Sequence, residues 1–284
     1  MKKTLQKAWA VIRGNTQLKI GLVLLCLLLL TALLAPLLAP YEPFFLSDEL
    51  VAAPSGVHPL GTDGLGRDVL SMLIFGTRTS LVVGITAAFI AGIIGTLLGG
   101  VAGYFGGRTD AVLGELINIF MMMPTFFLVL IVVALFGSGL FNVMVVMGLT
   151  SWVGNAKLMR AQAMSLRQRT FVRASEAIGE SRLSILFRHV IPNGIFPIIA
   201  NTTMGIASAI LTESSLAFLG LGDPNIISWG QVIQSGKSYL TNGWWICLFG
   251  GLAIIYTVVT FYLIGDGLNR VLSPKLRDLG KEGS

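Results

Sequence analysis

The chain has 284 residues, of which 54% are hydrophobic and 12% charged, against about 25% charged in an average soluble domain. Together with a mean hydropathy of +0.79, this excludes an ordinary soluble domain and points to an integral membrane protein whose apolar surface meets lipid. The net charge of +6 would suggest nucleic acid in a soluble protein; here it reads as Lys and Arg retained on the cytoplasmic side, with no nucleic-acid partner.

A basic cytoplasmic N-tail, residues 1–17, leads into an apolar run at 18–39. That run exceeds the ~7–15 residues of a cleaved signal core, and its Ala35-Pro36 and Ala39-Pro40 pairs are poor cleavage sites, so an uncleaved first span is expected. An outer loop, 40–79, carries Glu42, Asp48, Glu49, Asp63 and Asp68 among Pro and Gly. Further apolar runs near the ~20 residues needed to cross a bilayer follow at 80–104, 111–136, 139–156, 195–220 and 243–265, the fourth span being the shortest. The reading is an all-α polytopic membrane protein with six spans. A membrane core covers 80–266, and a cytoplasmic C-tail covers 267–284. Six is even, so both termini share a side. With that side inside, 17 of the 20 Lys and Arg are cytoplasmic, as the positive-inside rule requires. The outer side keeps Arg67, Arg78 and Lys237.

Within the spans, Gly95, Gly99 and Gly103 recur every four residues, the spacing that lets helices approach closely. Pro124 follows Met121-Met122-Met123 in the third span and reads as a static kink or a gating hinge. Cys26 and Cys247 offer no disulfide framework or metal spacing and are expected to be small buried hydrophobes. In the fifth span Asn201, Gly205, Ser208, Thr212 and Ser215 fall on one face. Facing lipid would be costly, so the stripe lines either a substrate path or a packing surface. Glu213 in the same span is an intramembrane carboxylate. It is either functional or a structural hydrogen-bonding group near the interface. Glu115, near an inner end, carries less weight.

Catalytic readings fail. His58 and His189 are the only histidines and lie in loops. No zinc helix occurs, and no serine in a span has a base beside it. Gly230 to Ser238 imitates a phosphate loop but has five residues between its glycines instead of four. The chain is therefore read as a non-catalytic subunit with no metal or cofactor of its own.

The polar exception is the inner segment 171–194. Phe171 to Ile178 has helical propensity, and Gly179 can end a helix at positive φ. Leu183, Leu186, Phe187 and Val190 then make one apolar stripe, with Arg182, Ser184, Arg188 and His189 off it. Pro192 and Gly194 punctuate the entry to the next span. Such a stripe can lie on lipid headgroups, pack on the chain's own helices or enter a groove on a partner, and periodicity does not choose among these. A hairpin that only fixes orientation is the plainest reading.

The run Arg173-Ala174-Ser175-Glu176-Ala177-Ile178-Gly179, then nine residues, then His189-Val190-Ile191-Pro192, resembles the EAA loop of ABC importer permeases. Arg173 stands where that motif has Glu, Ser175 replaces Ala, and His189 stands at an Ile position, as in the "RH-x-x-PN" form of peptide and nickel permeases. Four further blocks resemble the same group: Gly61–Asp68 (GTDGLGRD), Gly106–Asp110 (GGRTD), Phe218–Gly222 followed by Trp229-Gly230, and Gly265–Leu268. Glu115, Asn118, Asn269-Arg270 and Ser273-Pro274 depart from it. The resemblance implies a type I ABC importer permease fold. It implies a homologous permease partner, two cytoplasmic ATPases that bind ATP and Mg, an external binding protein, and membrane lipid around the spans. It also implies a substrate among di- or oligopeptides or nickel and other metal chelates. In that picture the loop is a coupling helix, with Leu183, Leu186, Phe187 and Val190 as its greasy contact and Arg182 and Arg188 orienting it. The rivals are a secondary transporter or channel that works without an ATPase, and a membrane anchor for a cytoplasmic partner.

Overall fold

A computed structural model of the chain describes residues 15–137 and 139–272. The basic residues of both tails (Lys2, Lys3, Lys7 and Arg13; Lys275, Arg277 and Lys281) lie outside the described residues, as do Ser138 and Ser273-Pro274. Among the described residues the chain is all-α, with one isolated bridge between Thr62 and Asp68.

Helix α1 (Thr16–Leu33) starts at Asn15, whose Oδ1 accepts from the Leu18 amide at 3.1 Å and so satisfies one of the free donors of the first turn. A short turn, α2 (Ala35–Leu38), follows. Helix α3 runs from Val69 to Phe105, 37 residues. At 1.5 Å per residue it is roughly 55 Å long, well beyond the ~30 Å hydrocarbon core. It begins eleven residues before the expected boundary at 80. Hydropathy placed that boundary near Arg78, but Arg78 does not need bulk water. Its guanidinium donates to the carbonyl oxygens of Ala32 and Leu33, the latter at 3.0 Å, which are orphan acceptors at the end of α1.

The amino end of α3 grows out of a built cap. Asp68 caps it, its Oδ2 accepting from the Ser71 amide and hydroxyl, both at 2.7 Å, while Oδ1 lies 2.9 Å from His58 Nδ1. Asp63 accepts from the Leu65 and Arg67 amides and from the Arg67 guanidinium. Gly61 (φ +76°) and Gly66 (φ +77°) take a backbone conformation that strongly favours glycine. The GTDGLGRD block is thus a folded loop in which buried polar groups find partners.

The third and fourth expected spans are both broken. Instead of one helix over 111–136 there are α4 (Gly107–Met122) and α5 (Thr125–Phe136), bent by 82°. Pro124 has no amide hydrogen and drives the preceding residue out of the helical region; Met123 is accordingly extended, at φ −85°, ψ 127°. The stretch 139–156 is divided at Ser151 into α6 (Leu140–Thr150) and α7 (Val153–Arg167). Those two helices run parallel to α3. A Cβ at Gly148 would meet Ile90; one at Gly95 would meet Asn155 and Trp152, one at Gly99 Ala156, and one at Gly103 Arg160. The expected glycine stripe is therefore a helix-packing stripe, set against the backbone of α7.

Two short turns, α9 (Arg182–Ile185) and α10 (Ile191–Gly194), flank a wide turn at Leu186–Val190; α8 (Thr170–Ala177) precedes them. Helix α11 (Phe196–Leu216) continues through a wide turn to Leu221. Helix α12 (Trp229–Gly236) packs back against α3, with Trp229 Nε1 donating to Leu73 O at 3.1 Å. Gly230 meets Ser214 and Gly236 meets Ile246, so the glycines that imitate a phosphate loop are points of close packing. Helix α13 (Trp244–Leu272) closes on α1 through Gly21 against Ile264 and Gly267 against Leu18.

By length and hydropathy α1, α3, α11 with its extension, and α13 can each cross a membrane, and the bent pair α4–α5 would be a fifth. The expected count of six is not reached on that measure, because proline and the Ser151 break divide two apolar runs. Cys26 corrects a second expectation. It is exposed rather than buried, and Cys247 is half-buried.

Candidate functional site

The basic loop is tied by its own hydrogen bonds and sorts its apolar residues onto two sides. Gly179 ends α8 at φ +83°. Ser181 then caps the next turn, accepting from the Ser184 amide at 3.3 Å. Glu180 clasps the two halves: Oε1 accepts from Ser184 Oγ at 2.6 Å, and Oε2 lies 3.0 Å from His189 Nε2. The Ser184 hydroxyl first, then His189, holds the Glu180 carboxyl below the usual carboxylate range. Asn193 Nδ2 donates to His189 O at 2.6 Å, and Tyr104 donates to Glu176 at 3.2 Å.

The expected stripe splits. Leu186 and Val190 are fully buried with Tyr104, Met159, Val172, Ile185 and Ile198, so they anchor the loop and cannot touch a partner. The i→i+5 turn at Leu186–Val190 rotates the face away from simple 3.6-residue periodicity. Leu183 stays 60% exposed and Ile178 83%. Phe187 is half exposed and borders an apolar groove of about 410 Å³ with Phe89, Ile93 and Ile195. Arg173 and Glu176 line a polar recess of about 490 Å³ with Arg167, Gln168 and Asp110. Ala174, Ala177, Arg182, Arg188 and Pro192 are exposed, and Ser175 is half-buried.

The polar stripe of the fifth span also divides. Asn201, Gly205, Ser208 and Thr212 line a cavity of about 240 Å³ between α3, α7 and α11. Ser215 is exposed and bonds back to Leu211 O. Glu213 is buried on another side of the helix, 3.4 Å from Ser214 Oγ. Neither borders the cavity. Sequence reasoning missed Asn155 and Ser151, which complete its wall. Asn155 lay inside an apolar run, and a buried amide there was the available signal.

The family model for the binding-protein-dependent transport system inner membrane component matches residues 95–278, roughly two thirds of the chain. The chain belongs to this family. A second model, the N-terminal TM domain of oligopeptide transport permease C, matches residues 3–54. Among curated relatives of this permease, the di/tripeptide transport system permease protein DppC of Pseudomonas aeruginosa is 36% identical over 96% of this chain and 93% of its own length. The glutathione transport system permease protein GsiD of Pectobacterium atrosepticum is 37% identical over 94% of this chain and 89% of its own. The oligopeptide transport system permease protein OppC of Bacillus subtilis is 34% identical over 93% and 88%. A chain of the MetNI methionine ABC transporter in an inward-facing conformation shares the fold at TM-score 0.58 and 17% identity, covering 71% of this chain and 96% of that one. The permease is thus a multi-pass inner-membrane transport subunit, and the reading as a self-sufficient channel or secondary transporter is set aside.

Proposed function

We propose that this permease forms half of the translocation pathway of an ATP-driven importer of small peptides. The other half is a homologous permease, solute arrives on an external binding protein, and two cytoplasmic ATPases bind ATP with Mg and hydrolyse it. Both termini and the loop 171–194 face the cytoplasm. Peptides are favoured over the metal chelates that the sequence resemblance also admitted, because the relatives above are named for di/tripeptides, oligopeptides and glutathione. The cavity at Asn201, Gly205, Ser208 and Thr212 is part of the path.

One observation carries the coupling reading. Ile178 and Leu183 are large, apolar and exposed on a loop clasped by Glu180, with Arg182 and Arg188 beside them. This is the handle an ATPase groove would grip, while Leu186 and Val190 transmit its motion into the helical core.

Leu183→Asp combined with Ile178→Asp should leave the permease folded but at least tenfold depleted of co-purifying ATPase. Unchanged co-purification defeats the coupling reading. Leu186→Asp differs in kind: it buries an unpaired charge and should reduce the yield of folded permease itself.

A further inference from the structure

Asn155 is 4% exposed and belongs to α7, a helix held by backbone collision distance from α3: a Cβ at Gly95 would lie 2.5 Å from Asn155 Cβ. Its Oδ1 accepts from Asn201 Nδ2 at 2.9 Å and from Thr202 Oγ1 at 3.4 Å. Two donors on one oxygen set the orientation of the amide. Asn155 Nδ2 and Asn201 Oδ1 are then left over. Among the described residues neither has a protein partner, and neither is sealed from solvent. Both residues wall the 240 Å³ cavity.

We propose that Asn155 and Asn201 form a peptide-linkage reader on the translocation path. Asn201 Oδ1 accepts from the N–H of a passing peptide bond, and Asn155 Nδ2 donates to the carbonyl or carboxylate oxygen of the residue that carries that N–H. A trans peptide bond points its own N–H and C=O to opposite sides, whereas the N–H and C=O of one extended residue point the same way, so one donor and one acceptor on these two hydrogen-bonded amides are the complement of a single extended residue. Among the described residues no charged side chain lines the cavity, so side-chain charge is not what it reads. The linkage common to all peptides is. A buried amide left facing a group that cannot pair with it costs free energy, so a solute lacking the N–H is penalised at this point even after the binding protein has delivered it. The inference rests on the peptide-import reading above.

The test uses the complete transporter in proteoliposomes, with alanyl-alanine and its ester isostere alanyl-lactate, each at concentrations that saturate the binding protein. The wild type should carry the peptide roughly 3- to 10-fold faster than the ester, the worth of one hydrogen bond and its unpaired partner. In Asn201→Ala the ratio should fall below about twofold, mainly through loss of the peptide rate, and Asn201→Ser should retain part of it. Assembly of each variant is checked by co-purification of the ATPases. Equal rates for peptide and ester in the wild type, or an unchanged ratio in both variants, overturn the inference while leaving peptide import standing. Failure to carry the peptide at all overturns the peptide reading and the inference with it.

Discussion

Single residues in this permease do work that their type alone does not announce. Arg78 looks like a span boundary and instead caps the carbonyls of α1 from within a continuous helix. Gly99 stands where any side chain would collide with the Ala156 carbonyl, whereas Gly251 has nothing within 4 Å of a built Cβ. Gly99→Ala should therefore destabilise the fold by about 1–3 kcal/mol, and Gly251→Ala, with open space in a helix interior, should leave it unchanged or stabilise it by up to about 1 kcal/mol. Thermal unfolding in detergent separates the two; equal melting temperatures would contradict the α3–α7 packing. The glycine spacing was legible in the sequence. Which glycines meet backbone was not, because that depends on the partner helix.

At the scale of elements, the loop between α8 and α10 is a small folded unit built around one carboxylate. Glu180 is held below its usual range by Ser184 and His189. A lowered folded value means that the clasp contributes above the ordinary carboxylate range and is lost as pH falls through the lowered value. Hydrogen exchange of the loop amides, compared at each pH with Glu180→Gln, should show extra protection in the wild type near pH 7. That difference should vanish well below about pH 4. A constant difference across this range would contradict the clasp. The sequence expected Gly179 to end a helix, and it does so at positive φ; Pro192 and Gly194, expected to punctuate the entry to the next span, fall within α10. The 3.6-residue stripe put Leu186 and Val190 on the same surface as Leu183, whereas the wide turn at Leu186–Val190 and the neighbouring Tyr104 and Ile198 draw those two inward.

At the scale of the whole molecule, α3 is the axis. The cap is built on its first turns, α6 and α7 lie along it, and α11 and α12 close on its other side. The cap and the basic loop therefore sit at opposite ends of a helix longer than the bilayer core is thick. In a Cys26→Ala, Cys247→Ala background, a membrane-impermeant thiol reagent added to intact cells should label Leu65→Cys and spare Leu183→Cys. Inverted membrane vesicles should reverse the pattern. Labelling of Leu183→Cys from outside would invert the proposed orientation. Leu65 and Leu183 are both 60% exposed, so access decides the result.

The sequence alone determined the membrane class, the all-helical character and, through ordered motif blocks, the family. These follow from local chemistry: apolar run length, spacing along a helix, and charges that avoid crossing lipid. Tertiary structure decided where the third and fourth spans break, which half of the apolar stripe remains free, and that Asn155 meets Asn201 from 46 positions away. Those outcomes depend on which helices pack together, and hydrophobicity, which favours burial without direction, does not specify the partner.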